Sequence, residues 1–274
     1  PDINIVGPTK DPADIRDEGL KQQNEPACAI RPGDGDCIVC FFNDYRTVDN
    51  PGHGDAWIGQ AESCDAANTW TSRIVPGHPL HPSPIDAQFA ADPRVIAIPG
   101  MAIHGFIGGF RGQDRGVVAI QHWLENNKDD YDYYEPALDT IRVDTGTEGR
   151  FIDKPDFLFL MDEDSPQSTI TWSTPMENSE LGTIERTYPG GKLIAAYAVF
   201  TGSQSVKLWV KTSNDLGQTW ANKSTKLTEG QNLISGITLT AVDGVLMAMW
   251  RQVLDTNDVD AMYYAVSTND GKRW

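Results

Sequence analysis

The sequence predicts an all-β chain of repeated four-stranded antiparallel units, the construction of a β-propeller. Three observations predict it. An octet, Ser213-Asn214-Asp215-Leu216-Gly217-Gln218-Thr219-Trp220, returns as Ser267-Thr268-Asn269-Asp270-Gly271-Lys272-Arg273-Trp274, and with Ala in place of Gly as Ser63-Cys64-Asp65-Ala66-Ala67-Asn68-Thr69-Trp70. Each copy follows an apolar run of strand length, so the chain is built from a recurring supersecondary unit. The 25 Gly and 17 Pro punctuate short runs rich in β-branched and aromatic residues, which favours strands and turns over helices.

Residues 1–23 hold one short apolar run, Ile3-Asn4-Ile5-Val6, within a polar, charged stretch; they read as an arm or as a strand completing something distant. In the first unit Ala27 to Ile30 is a strand, Pro32-Gly33-Asp34-Gly35 a turn, and Cys37 to Phe42 a second strand running into Asp44-Tyr45-Arg46. A Gly- and Asp-rich loop leads to a third strand, Trp57 to Glu62, then the first octet and a fourth strand from Trp70. The second unit repeats this order with Arg94 to Ile98, Ile103 to Phe110 and Val117 to Trp123, but an Asp- and Tyr-rich insertion, Leu124 to Tyr134, replaces the octet. The third opens at Asp153-Lys154-Pro155 with Phe157 to Leu160, makes a polar excursion to about Tyr188, and resumes with Leu193 to Phe200, Val206 to Lys211 and the intact octet. The fourth holds Ile234 to Thr240, Val245 to Trp250, Ala261 to Val266 and the third octet. Second-strand ends at Tyr45-Arg46, Phe110-Arg111, Phe200-Thr201 and Trp250-Arg251 give an independent register, with units over about 24–80, 90–145, 150–225 and 230–274.

The octet is legible as a turn. Asp and Ser side chains bond nearby backbone amides, Gly supplies a positive φ, and the Trp is expected to bury apolar surface between neighbouring units. The pattern S-x-D-x-G-x-T-W resembles the Asp-box, or bacterial neuraminidase repeat, of sialidase-like β-propellers. The resemblance covers about residues 24–274. It implies a six-bladed propeller, so the chain reads as the front part of a longer one; the alternative is that residues 3–6 close a smaller ring. A motif recurring once per unit serves the folding of that unit and is a poor catalytic candidate.

The net charge of −17 argues against nucleic acid as a partner and is the charge of a soluble extracellular or salt-tolerant protein. No stretch reaches the length of a membrane span. Cys28, Cys37, Cys40 and Cys64 all fall in the first quarter. Because Cys37-Ile38-Val39-Cys40 reads as a buried strand, free buried cysteines are expected, with a Cys28 bridge to Cys37 or Cys40 as the alternative. A metal pair lacks a second pair of ligands.

The octets lie at one end of their units, so function is expected at the other, on second-to-third-strand loops and unit-to-unit connections. Two residue sets map there. Glu25-Pro26, Asp92-Pro93 and Asp153-Lys154-Pro155 open units with an acid; Arg46, Arg111 and Arg251 close second strands. Guanidinium binds carboxylate bidentately and paired acids hydrolyse glycosides, so these sets can grip and cleave an anionic sugar. They also have a structural reading, as strand-opening prolines and ion pairs repeated between units. The sialidase resemblance implies an Arg-Ile-Pro element, an arginine triad, an acid/base Asp and a Tyr–Glu pair. Here Asn24-Glu25-Pro26 stands in the first place, so the leading arginine is missing, and Arg73-Ile74-Val75-Pro76 lies on the wrong strand. Asp49 or Asp55 fits the acid position, Asp153 is a further acid/base candidate, and Tyr188 with Glu185 is the nearest pair. His78 and His81 read as surface loop. Asp255-Thr256-Asn257-Asp258-Val259-Asp260 is a weak Ca²⁺ candidate without the Gly and distal Glu of a helix-loop-helix site, so no cofactor is expected. Two functions remain: a glycoside hydrolase or glycan-binding relative acting outside the cell or on a particle, and a non-catalytic structural or adhesion module of a virion or cell surface. The corresponding partners are a glycan or glycoprotein, or other subunits of a surface assembly.

Overall fold

A computed structural model describes residues 23–46, 48, 55–77, 87–110, 112–113, 115–125, 134–175, 181–202, 205–228, 233–253 and 261–274. The first sheet runs in the order β1 (Gln23–Ile30), β2 (Ile38–Asp44), β3 (Trp57–Ser63) and β4 (Thr71–Ile74). The second holds β5 (Phe89–Ile98), β6 (Met101–Gly109), β7 (Gly116–Glu125) and β8 (Tyr134–Thr145), again in chain order. After β9 (Phe151–Met161) comes a two-stranded sheet of β10 (Ser168–Pro175) and β11 (Leu181–Tyr188). Then β12 (Gly191–Phe200), β13 (Val206–Ser213) and β14 (Thr225–Lys226) pair in the order β14-β13-β12-β9. A three-stranded sheet follows, of β15 (Leu233–Val242), β16 (Val245–Val253) and β17 (Ala261–Ser267). The polar excursion expected before Tyr188 is therefore ordered as the β10–β11 hairpin.

The described chain divides into two compact units. One comprises Pro1–Arg111, Ile120–Thr140 and Thr171–Glu185; the other comprises Gly112–Ala119, Ile141–Ile170 and Arg186–Trp274. In the first, Phe41 of β2 stacks on His104 of β6 at 4.0 Å, His104 stacks on Phe106 at 4.9 Å, and Trp123 meets Phe41 edge-on. Burial pushes His104 down to about 3, with Gln121 acting weakly in the opposite sense, so the imidazole is a neutral core ring. In the second unit, alternate residues of β12, β13, β15 and β16, among them Ile194, Leu208, Ile237 and Trp250, build the core.

The cysteines differ from the main expectation. Cys28 and Cys40 face each other directly in the β1–β2 ladder and are bridged, and Cys37 is bridged to Cys64 of the first octet; no free cysteine remains. The alternation that buries Cys37 and Cys40 on opposite faces is what gives each its own partner.

All three octets fold alike. In the intact copy the Ser213 hydroxyl donates to Asp215 Oδ1 (2.6 Å) and accepts from Gly217 N (2.8 Å), while Asp215 accepts from Thr219 N (2.9 Å) and Thr219 Oγ1 (2.5 Å). Ser63 with Asp65 repeats these bonds, and Ser267 with Asn269 repeats all but the one from the Thr hydroxyl, where Arg273 stands. The fourth and fifth residues are left-handed each time: Ala66 and Ala67 (φ 57° and 65°), Leu216 and Gly217 (58° and 87°), Asp270 and Gly271 (55° and 79°). Hydrogen bonds from Thr69 and Ser63 hold the Asp65 carboxyl down at about 2. For Asp215 burial pushes upward, and bonds from Ser213 and Thr219 outweigh it, lowering the carboxyl. The tryptophans are half-buried, and Trp70 and Trp274 donate their indole N–H to the carbonyl of their own octet's fifth residue (3.2 and 3.0 Å). Beyond packing, these rings lock the turn they end.

Candidate functional site

The first strand of each four-stranded sheet carries a bulge at the same place, and the bulge explains the recurring acid–proline pairs. In β1 the register slips between Asn24 and Ala27, in β5 between Ala91 and Arg94, and in β9 between Asp153 and Asp156. The first residue inside each slip is left-handed: Glu25 (φ 51°), Asp92 (54°) and Lys154 (49°). The second is Pro26, Pro93 or Pro155, which needs no ladder donor, and the residue facing the bulge is Phe42, Phe106 or Tyr197. The β15 bulge uses Gly236 (φ 63°) instead. Lys154, not Asp153, is therefore the positional equivalent of Glu25 and Asp92. The register was invisible in the sequence because the acid and the proline are separated by one residue there.

Two of the predicted residues, Glu25 and Asp92, meet in the first unit at Asn43 of β2, which sequence reasoning did not single out. Its amide donates to Asn24 (3.0 Å) and Glu25 (3.4 Å) and its carbonyl accepts from the Asp92 backbone (2.9 Å). Glu25 is exposed at the rim of this group and Asp92 is buried. Arg46 does not face solvent. Its guanidinium is buried against Asp44, with Nε and Nη2 both 2.7 Å from Oδ2, and Asp44 Oδ1 accepts from the Arg46 backbone (2.9 Å). Asp55 begins the approach to β3, where Oδ1 accepts from Ala56 N (2.7 Å). In the second unit Asp153 Oδ1 accepts from Lys154 N (2.9 Å), and Arg251 is exposed on β16, opposite Met262 and Ser235. On β11 Tyr188 is buried and Glu185 exposed. Asp49, Arg111, His78, His81 and the Asp255–Asp260 segment lie outside the described residues.

The second unit contains an open cleft of about 620 Å³ whose described lining includes none of the described candidate residues. Its walls are Gly112, Gln113 and Arg115, between β6 and β7, and Gly146, Thr147 and Glu148, between β8 and β9. Sequence reasoning missed this site, although the short polar run Gly146-Thr147-Glu148-Gly149-Arg150 is the signal of a tight turn. Arg150 N donates to Thr147 O (2.8 Å), Gly149 is left-handed (φ 76°), and Gly146 N donates to Gly116 O (2.7 Å). A side chain at Gly146 would stand 2.2 Å from Arg150 O and 3.1 Å from the Gly116 backbone, so glycine is required for this close approach. Arg115 Nε donates to Gln113 Oε1 (2.7 Å), which fixes the guanidinium at the cleft edge beside Glu148. The arrangement offers cationic donors, amide and hydroxyl groups, and one carboxylate. Among the described residues no three His, Cys, Asp or Glu side chains are grouped to hold a metal ion.

No family model matches the sequence, and no curated protein matches it. Solved structures do. The GH93 α-L-arabinofuranosidase of Fusarium graminearum in complex with arabinobiose superposes with a TM-score of 0.61 at 14% identity, over 98% of this chain and 67% of that one. A Penicillium chrysogenum α-L-arabinanase complexed with arabinobiose gives 0.60 at 12% identity, over 97% and 67%. Trypanosoma rangeli sialidase gives 0.51 at 13% identity, over 92% and 36%. All are β-propeller glycoside hydrolases. The chain has the β-propeller fold. It spans about two thirds of the length of the arabinan-directed neighbours and about a third of that of the sialidase, and the sialidase likeness holds at the level of the fold. No described helix is long and apolar enough to cross a membrane.

Proposed function

We infer that the chain is part of an extracellular or particle-surface β-propeller directed at glycans, and that its binding cleft lies between the β6–β7 loop and the β8–β9 turn. The observation that carries this reading is the cleft lined by Gln113, Arg115, Thr147 and Glu148, whose side chains suit sugar hydroxyls. Its fold, shared with neighbours that act on glycans, supports the same reading, and two disulfides support an oxidising compartment. Glycoside hydrolysis uses a pair of carboxyl groups. Among the described lining residues Glu148 is such a carboxyl, and recognition of the glycan is the activity we propose for the cleft.

A second reading, a structural or adhesion module of a surface assembly, rests on the outer strand β17, where Met262 and Tyr264 are 66% and 68% exposed.

Glycan-array binding, with arabinan oligosaccharides and sialosides included, tests the first reading. Arg115→Ala combined with Glu148→Ala is expected to weaken the best ligand at least tenfold while fluorogenic arabinofuranosides and sialosides stay uncleaved. Unchanged binding by the double variant would remove the cleft from the function, and turnover would replace recognition with hydrolysis.

A further inference from the structure

We propose that a second cleft in the same unit, between the end of β8 and the β12–β14 ladder, binds a carboxylate-bearing monosaccharide of the hexuronate class. The cleft holds about 320 Å³ and, among the described residues, shares only Gly146 with the larger one. That volume is at the small end of ligand pockets and suits one sugar ring. Asp144, Arg150, Trp209, Lys223 and Ser224 line it, with Ile152 adding an apolar wall.

Its electrostatics run against the rest of the molecule. The chain carries a net charge of −17, yet this cleft gathers Arg150 and Lys223, with Lys211 behind Asp144, against a single carboxylate. That carboxylate is already engaged. Asp144 accepts from the Tyr197 hydroxyl, from Ser224 Oγ (3.3 Å), from Thr145 N (3.0 Å) and from Lys211 Nζ (3.5 Å), and Lys211 also donates to Val143 O (2.8 Å). Burial pushes the Tyr197 phenol upward, so it stays a proton donor to Asp144 at all physiological pH values. Asp144 is thereby a pin for the wall. Arg150 and Lys223 have exposed side chains, and no carboxylate lies within ion-pair reach of either among the described residues.

Two cations lining one cleft favour an anion, and guanidinium matches a carboxylate bidentately. The remaining walls select a sugar over a bare oxyanion. Trp209 is half-buried and lines the cleft, and an indole offers a surface for the C–H face of a pyranose. Ser224 also lines the cleft; its hydroxyl, held by Asp144 and Tyr197, keeps a lone pair that can accept from a ring hydroxyl.

Titration calorimetry and tryptophan fluorescence with D-glucuronate, D-glucose and inorganic sulfate test the assignment. Glucuronate is expected to bind saturably, at least tenfold more tightly than glucose and than sulfate. Arg150→Gln with Lys223→Gln is expected to weaken it at least tenfold without shifting Tm, and Trp209→Leu to weaken glucuronate while leaving residual sulfate binding intact. Equal binding of glucose would remove the anion selectivity, equal binding of sulfate would reduce the cleft to a simple oxyanion site, and a double variant that still binds would overturn the assignment. Because Arg115 and Glu148 stay intact in these variants, failure here and failure of the larger cleft are separate readouts.

Discussion

The first octet carries its own internal test, because Ala67 occupies a left-handed position that Gly fills in the other two copies. At φ 65° an L-residue with a Cβ is strained by about 1–2 kcal/mol, and relieving this with Gly returns about 0.5–1 kcal/mol to the unfolded chain as entropy. Ala67→Gly is therefore expected to stabilise the protein by about 0.5–1 kcal/mol, since the Ser63–Asp65 bonds around it are unchanged. The reciprocal change is equally clean. A Cβ at Gly271 would meet Thr212, Leu246 and Trp274 at 3.6, 3.7 and 3.9 Å, ordinary contact distances, so Gly271→Ala suffers only from its φ of 79° and is expected to lose about 1 kcal/mol. For a chain of this size each kcal/mol moves Tm by about 2–4 °C, within reach of differential scanning calorimetry at pH 7. A lower Tm for Ala67→Gly, or an unchanged Tm for Gly271→Ala, would show that the octets do not hold the backbone as described.

The remaining expectations concern acid and redox stability. His104 is depressed in the fold to about 3 from 6.5, so the unfolded chain takes up the proton first. Stability is then full above about pH 6.5 and declines as pH falls toward 3, by on the order of 4 kcal/mol. Asp65, held at about 2, adds a loss in the same direction below its ordinary 3.8. Urea midpoints measured from pH 7 to 4 should show the slope, and His104→Phe, which keeps a ring between Phe41 and Phe106, should flatten it; a retained slope would assign it elsewhere. Removing the Cys28–Cys40 bridge, which closes a 12-residue separation, is expected to lower stability by about 3 kcal/mol. Removing Cys37–Cys64, with a separation of 27, should lower it by slightly more. A denaturation midpoint insensitive to reductant would contradict both.

What the sequence made legible was local. An octet whose Ser and Asp bond amides two to four residues away announces its turn in one dimension, and strands such as Cys37 to Phe42 announce themselves by composition. What it concealed depends on pairing. The bulges at Glu25, Asp92 and Lys154 exist only relative to Phe42, Phe106 and Tyr197 on the next strand, so an acid near a proline suggested a rim of carboxylates and put Asp153 in a place that Lys154 holds. Arg46 looked like a strand-end ligand; its burial follows from Asp44, two residues earlier, folding back onto it. The Cys28–Cys40 bridge was among the alternatives the sequence offered, and the β1–β2 register selects it; Cys37–Cys64 needed the β2–β3 register, which pairs Ile38 with Ser63 next to it. The cleft residues Arg115, Glu148, Arg150 and Lys223 recur in no other unit, and reading by repeats passes over what does not repeat.

That non-repetition has a physical basis within the second unit. In the β9–β12–β13 ladder, Ser213 and its octet stand at the Leu193–Phe159 end, whereas the smaller cleft takes Ile152 and Val199, which face each other near the opposite end. At the octet end the polar side chains are consumed in closing the turn, so Ser213, Asp215 and Thr219 have little left to offer a ligand, and changing them costs a fold element. At the cleft end the backbone closes itself through Gly146 and Gly116, and the exposed Arg150 and Lys223 side chains bear none of that work. Exposed substitutions of this kind typically shift stability by no more than about 0.5 kcal/mol. Specificity can therefore drift at one end of the sheet while the other end is held fixed, and the residues that decide the ligand are the ones a repeat pattern cannot contain.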